Sequence, residues 1–167
     1  MAQDKTSGTP ANDANGEARK EPQLRILRQY VKDLSFENPR AVEREGWGAK
    51  KPEIEINMEV MRKHVGENNY EVALKLVAKA SIESDVVFLA EVLYGGLFQV
   101  ENVPAEKLDA VISIEGPRQL FPFARRILAD MVRDGGFPSL LLSPVDFSQL
   151  YRSAAKKNEE KPQPNSE

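Results

Sequence analysis

The sequence predicts an α+β fold in which helices pack on one face of an antiparallel sheet. Its first half alternates apolar and polar residues with the period of strands, and its second half repeats apolar residues at helical spacing. Tight turn signals separate the later strand-like runs, and strands joined so closely pair antiparallel, because parallel neighbours need long crossovers. Strands first and helices afterwards place the helices together on one side of the sheet.

Residues 1–22 are rich in small and polar types with almost nothing large to bury, so they are expected to be a disordered N-terminal tail. One folded domain is expected over residues 23–154. Its first strand, from Leu24 to Phe36, is irregular, with Leu24, Ile26, Tyr30, Leu34 and Phe36 on one parity. Pro39, Gly46, Gly48 and Pro52 make the next stretch a long crossover rather than an element. Ile54, Ile56, Met58 and Val60 then alternate with Glu53, Glu55, Asn57 and Glu59, the pattern of a half-buried strand. After a turn at Gly66-Glu67-Asn68-Asn69, the residues Tyr70, Val72, Leu74, Leu76, Ala78 and Ala80 keep that period. Glu83-Ser84-Asp85 marks a second reversal.

The fourth strand breaks the alternation. Val86-Val87-Phe88-Leu89-Ala90-Glu91-Val92-Leu93-Tyr94 is apolar on both parities except at Glu91. Continuous apolar strands belong under two covering layers. The helical residues that follow suffice for one layer, so the other face calls for a second subunit or a ligand.

Pro104 opens a short helical segment with Leu108, Val111 and Ile112 on one face, interrupted at Gly116-Pro117. Phe123, Ile127 and Met131, widened by Leu120 and Leu128, form the next helix, which stops at Gly135-Gly136. Pro122 either opens that helix or kinks it. The last helix is expected to start at Ser143, with Pro144 in the first helical position and Asp146 replacing the usual capping-box Glu or Gln. Leu142 and Phe147 have the spacing of a hydrophobic staple around it. Residues 155–167 return to Lys, Glu, Pro, Asn and Ser and are expected to be a disordered C-terminal tail.

Composition excludes several functions. The net charge of -3 shows no basic patch for a phosphate backbone, so no nucleic-acid partner is expected. There is no cysteine, and hence no disulfide, thiolate nucleophile or Cys-based metal site. Neither an apolar secretory segment nor a run long enough for a bilayer is present, so the chain is expected to be cytoplasmic, with no direct membrane insertion. His64 is the sole histidine and reads as a strand-end residue. No phosphate-binding loop or dinucleotide fingerprint occurs, and Gly95-Gly96 and Gly135-Gly136 read as turns or bulges. No catalytic residue, metal ligand or cofactor is assigned.

Four separated stretches resemble the SecB family of preprotein-export chaperones. Tyr30-Val31-Lys32-Asp33-Leu34-Ser35-Phe36-Glu37-Asn38-Pro39 is similar to its first strand and the turn after it. Phe88-Leu89-Ala90-Glu91-Val92 with Tyr94-Gly95-Gly96-Leu97-Phe98 is similar to its central strand. Leu120-Phe121-Pro122-Phe123-Ala124-Arg125 and Gly136-Phe137-Pro138 resemble its long helix and following loop. Leu140-Leu141-Leu142-Ser143-Pro144-Val145-Asp146-Phe147 resembles the approach to its last helix. The likeness runs from about Leu24 to Tyr151.

The resemblance implies a four-stranded antiparallel sheet assembled as a homotetramer, a dimer of dimers. It implies a holdase that keeps unfolded precursor proteins translocation-competent and delivers them to the SecA motor ATPase. By the same likeness, Phe88, Ala90, Val92 and Tyr94 would contribute to subunit assembly. Asp33, Leu89 and Glu91, with Glu37 nearby, would form an acidic surface for the basic, zinc-binding C-terminal segment of SecA, the zinc belonging to that partner. Unfolded clients offer apolar side chains without fixed shape, so the binder needs apolar grooves of low sequence preference. Trp47, Ile54, Ile56, Tyr70, Phe137, Leu142 and Phe147 are the candidate lining. Two alternatives compete: a SecB-like chaperone dedicated to a narrower client such as an antitoxin, and a small carboxylate-dependent enzyme. The mixture of Lys156, Lys157 and Lys161 with Glu159, Glu160 and Glu167 argues against an acidic-tail contribution to SecA binding.

Overall fold

The computed structural model describes residues 21–42 and 50–159, with side chains described to residue 156. Most of the expected N-terminal tail, Trp47 and the last eight residues, 160–167, lie outside the described residues. Four strands come first, β1 (Gln23–Glu37), β2 (Glu53–Gly66), β3 (Asn69–Ile82) and β4 (Asp85–Glu101). Two helices follow, α1 (Ala105–Asp134) and α2 (Phe147–Glu159). The strands form one antiparallel sheet in the order β1-β4-β3-β2, so β1 and β2 are both edges.

The hairpins fall where the turn residues predict. Gly66 pairs with Asn69 across the β2–β3 turn, and Gly66 and Glu67 take positive φ. Ile82 pairs with Asp85 across the β3–β4 turn, where Glu83 takes positive φ. Helix α1 covers one face of the sheet. Beneath it lie Val72, Leu74, Leu76, Phe88, Ala90, Val92 and Phe98, joined by Ile112, Leu120, Leu128 and Val132 from the helix.

Four local expectations are corrected. First, α1 is one continuous helix, although Gly116, Pro117 and Pro122 lie inside it. An interior proline removes a hydrogen bond and costs about 3 kcal/mol. Burial of Pro117 and Leu120 on the sheet offsets that cost, and Gly116 lets the helix approach closely, since a Cβ there would lie 2.9 Å from Val72. Second, Gly95 and Gly96 are interior to β4 rather than in a turn. A Cβ on Gly95 would sit 2.9 Å from the Tyr30 ring, which lies across it.

Third, β1 does not keep one parity. Register shifts after Ile26 and after Val31 bring Gln29, Val31, Leu34 and Phe36 to the helix side, and Tyr30 to the other. Fourth, α2 starts at Phe147 and is capped by Asp146, whose Oδ1 accepts from the backbone N–H of Ser148 at 2.9 Å and of Gln149 at 3.1 Å. A carboxylate next to the helix start supplies the acceptor directly and also suits the helix dipole, so Ser143 is left upstream. The helix continues to Glu159, beyond the expected boundary at residue 154.

Candidate functional site

The side of the sheet away from α1 has no layer above it among the described residues. Antiparallel register fixes what it displays. Glu37 on β1 lies opposite Leu89, Ser35 opposite Glu91, and Asp33 opposite Leu93. On the other flank of β4, Lys79 faces Leu89, Val77 faces Glu91 and Lys75 faces Leu93. Asp33, Glu37, Leu89 and Glu91 therefore share one face, with carboxylates bordering a leucine row. Lys75 reaches diagonally to Glu91 at 3.1 Å, so the β3 side of the patch carries positive charge and the β1 side negative charge. Sequence reading missed Lys75. The register of β3 against β4 was needed to find it.

At the other end of this open face, Tyr30 and Lys32 cross over Gly95 to Glu71 on β3. The Tyr30 hydroxyl donates to Glu71 Oε1 at 2.6 Å, and Lys32 Nζ donates to Oε2 at 2.9 Å. Those bonds, Tyr30 first, hold the Glu71 carboxyl below the usual carboxylate range. Burial, and then the bond to Glu71, push the Tyr30 hydroxyl up to about 12.

Phe88, Ala90, Val92 and Tyr94 point the opposite way, into the core under α1. Phe88 packs against Phe36 and Phe137, with ring centroids 5.8 and 4.8 Å away. Tyr94 stacks on Phe123 of α1 at 6.1 Å. These four residues are buried in the core of the chain itself.

The groove candidates do not converge on one trough. Ile54 and Ile56 are 43% and 41% exposed on the helix side of edge strand β2, beside Ala80 and Ala78. Tyr70 is at the opposite end of the sheet, 4.8 Å from the His64 ring, lining a cleft of about 280 Å³ with Leu108 and Ile112. Phe137 and Leu142 are half-buried in the segment after α1. Phe147 is a core residue, 2% exposed, with its ring edge-on to Phe121 at 5.8 Å. Trp47 lies outside the described residues.

A second cleft of about 280 Å³ opens between β2 and α2, lined by residues that include Met58, Val60, Ser113, Phe147 and Leu150. Close to it, Asp109 of α1 ties both walls. Its Oδ1 accepts from Arg62 Nε of β2 at 2.6 Å and its Oδ2 from the Tyr151 hydroxyl of α2 at 3.0 Å. Sequence reading missed this triad, since helix periodicity ranks apolar faces and ignores exposed charges. Among the described residues no group of three or more metal-ligating side chains occurs, and no helix is long and apolar enough to cross a membrane.

A sheet with one face packed on a long helix and the other displaying leucines bordered by carboxylates is suited to binding polypeptide. Comparison with known proteins agrees. Residues 17–158 match the family described as SecB, preprotein translocase subunit SecB. Proteins named protein-export protein SecB are similar over most of the chain. The one from Parvibaculum lavamentivorans is 54% identical over 137 residues, spanning 82% of this chain and 80% of its own length. That from Maricaulis maris is 51% identical over 149 residues, spanning 89% and 85%. Among solved structures, a SecB-like chaperone of Mycobacterium tuberculosis, in complex with a ChAD peptide from an antitoxin, has a TM-score of 0.59. It is 16% identical and covers 73% of this chain and 90% of its own, a likeness of fold. The chain belongs to the SecB family, and it is a preprotein-export chaperone.

Proposed function

We propose that this chaperone works in the cytoplasm as a homotetrameric holdase without chemistry of its own, handing unfolded preproteins to SecA through the open face of its sheet. The observation that carries the reading is the division of β4, whose one parity seats α1 while the other presents Leu89 and Glu91 beside Asp33 and Glu37. A carboxylate rim around leucines fits a basic, partly apolar segment such as the zinc-binding end of SecA. Client capture falls to apolar surface on the helix side and its rim, including Ile54, Ile56, Tyr70, Phe137 and Leu142, with Phe147 supporting from the core; Trp47 is kept as a lining candidate from the sequence alone. Individually weak contacts repeated over linked subunits hold a long chain by avidity.

Assembly has support in the exposed apolar side chains of β1. Leu27, Val31 and Leu34 are each nearly half exposed, as is Phe123 on α1. An antiparallel pairing of edge strand β1 with its copy, centred near Val31, would bring Arg25 and Arg28 near Glu37 and Asp33 of the other subunit. Phe88, Ala90, Val92 and Tyr94 then contribute by seating α1 rather than by touching the neighbour.

Native mass settles these points together, measured alone, with an unfolded precursor and with SecA. The expected result is a tetramer that captures the unfolded but not the folded precursor and binds SecA. A chain that binds one dedicated protein and ignores unrelated precursors is instead a narrow-client chaperone. A monomer that binds neither precursor nor SecA overturns the assembly and handover reading.

A further inference from the structure

Edge strand β1 carries its carboxylates to the open face through an irregularity. Tyr30 pairs with Gly95 and Val31 with Tyr94, but the next pair is Asp33 with Leu93, so Lys32 is an extra residue, a bulge. Side chains alternate along a regular strand, so a strand regular through this point would turn Asp33, Ser35 and Glu37 to the helix side. The acidic border beside Leu89 and Glu91 depends on where that one extra residue sits.

The contact that holds it spans three strands. Lys32 Nζ donates to Glu71 Oε2 of β3 at 2.9 Å, and the Tyr30 hydroxyl donates to Oε1 at 2.6 Å. Both side chains cross β4 at Gly95, where a Cβ would lie 2.9 Å from the Tyr30 ring and 3.0 Å from Lys32 Cδ. Glycine inside a strand weakens it, so stability of β4 alone favours a side chain at that position. Glu71 is shielded, its side chain 20% exposed, and its bonds hold the carboxyl below the usual range, so it is a carboxylate at neutral pH. Phe36, stacked on Phe88, fixes the end of β1 in the core. It leaves open where between Tyr30 and Phe36 the extra residue falls, and hence which way Asp33 points.

We infer that Lys32 and Glu71 are positioning residues for the SecA surface: their pair across Gly95, with Tyr30 beside it, pins the bulge and so keeps Asp33 on the open face. The inference rests on the reading of that face as the SecA contact, and it adds residues that act through Asp33.

The test compares Lys32→Met and Glu71→Gln in the full chain. Its readouts are the Kd for a zinc-loaded peptide of the basic C-terminal segment of SecA, native mass, and hydrogen exchange along β1. Charge alone predicts opposite outcomes, since losing a cation near an acidic surface tightens a basic ligand and losing an anion loosens it. Positioning predicts that both variants raise Kd, by about three- to five-fold, the scale of one half-exposed ion pair. Exchange should quicken in β1 only, with native mass unchanged, and Lys32→Arg, which keeps a donor for Glu71, should restore wild-type binding. Tighter binding by Lys32→Met overturns the inference and makes the pair a bystander charge. Unchanged Kd in both variants also overturns it, leaving Phe36 to hold β1 alone. A lower native mass, or exchange raised throughout the sheet, makes the pair purely structural, against the inference. Failure of the wild type to bind the peptide removes the SecA reading itself, and the inference with it.

Discussion

On the α1 side of β4, Phe88, Ala90 and Val92 are buried; on the other side, Leu89, Glu91 and Leu93 are half-buried with no layer above them among the described residues. The two sets alternate along one strand, a few ångströms apart, yet their neighbours differ in kind. Large apolar groups surround the first, and charged residues from β1 and β3 border the second. The contrast teaches that apolar character alone does not mark core. Leucines on a strand without a covering layer, flanked by carboxylates, are better placed to meet a partner than to stabilise the subunit.

That division predicts opposite responses to substitution. Phe88→Ala empties space between Phe36 and Phe137, and truncating a buried aromatic costs about 3–5 kcal/mol of stability. Chemical denaturation should show the loss directly, with assembly weakening only as α1 loosens. A midpoint equal to the wild type would contradict the core role of Phe88.

On the open face the expected cost is in binding. Glu91→Lys breaks the 3.1 Å pair with Lys75 and puts like charges together, but partly exposed pairs are worth only about 1 kcal/mol or less. Stability should change little and native mass not at all, while affinity for the basic C-terminal segment of SecA falls about tenfold. Titrating that segment with both proteins gives the comparison. Unchanged affinity would remove Glu91 from the proposed SecA surface, and a lower native mass would make it structural.

The same contrast shows what was legible in the sequence. Strict alternation in β2 and β3 placed those strands, and the unusual apolarity of β4 flagged a sheet with uncovered surface. The shared face of Asp33, Glu37, Leu89 and Glu91 depended on register, which the resemblance implied and alternation alone did not. Bulges in β1 leave no simple trace in hydropathy, so Tyr30 was assigned to the wrong face. Gly116-Pro117 is a strong local breaker, and only the tight contact with Val72 and burial of Pro117 show why α1 continues through it. Groove residues were the least legible. A cleft is made by elements distant in sequence, and periodicity cannot say that Phe147 is buried while Ile54 is exposed.

The smallest expected effect concerns the charged end of the open face, where Tyr30 and Lys32 hold Glu71. The Glu71 carboxyl is depressed, so its contribution is present above the ordinary carboxylate value and is lost as pH falls through its folded pKa. Tyr30 is raised from 10.0 to about 12, so its contribution is complete below 10 and is lost as pH rises through that window. Tyr30→Phe removes the donor of the 2.6 Å bond while keeping the ring over Gly95. At neutral pH it should cost about 1 kcal/mol or less, because Glu71 keeps Lys32 and remains partly solvated. The stability gap between wild type and variant should narrow below the carboxylate range and again above pH 10. Urea denaturation across that pH series reads the gap. A constant difference would mean that Tyr30 contributes by packing on β4 alone and that its hydroxyl adds nothing to the open face.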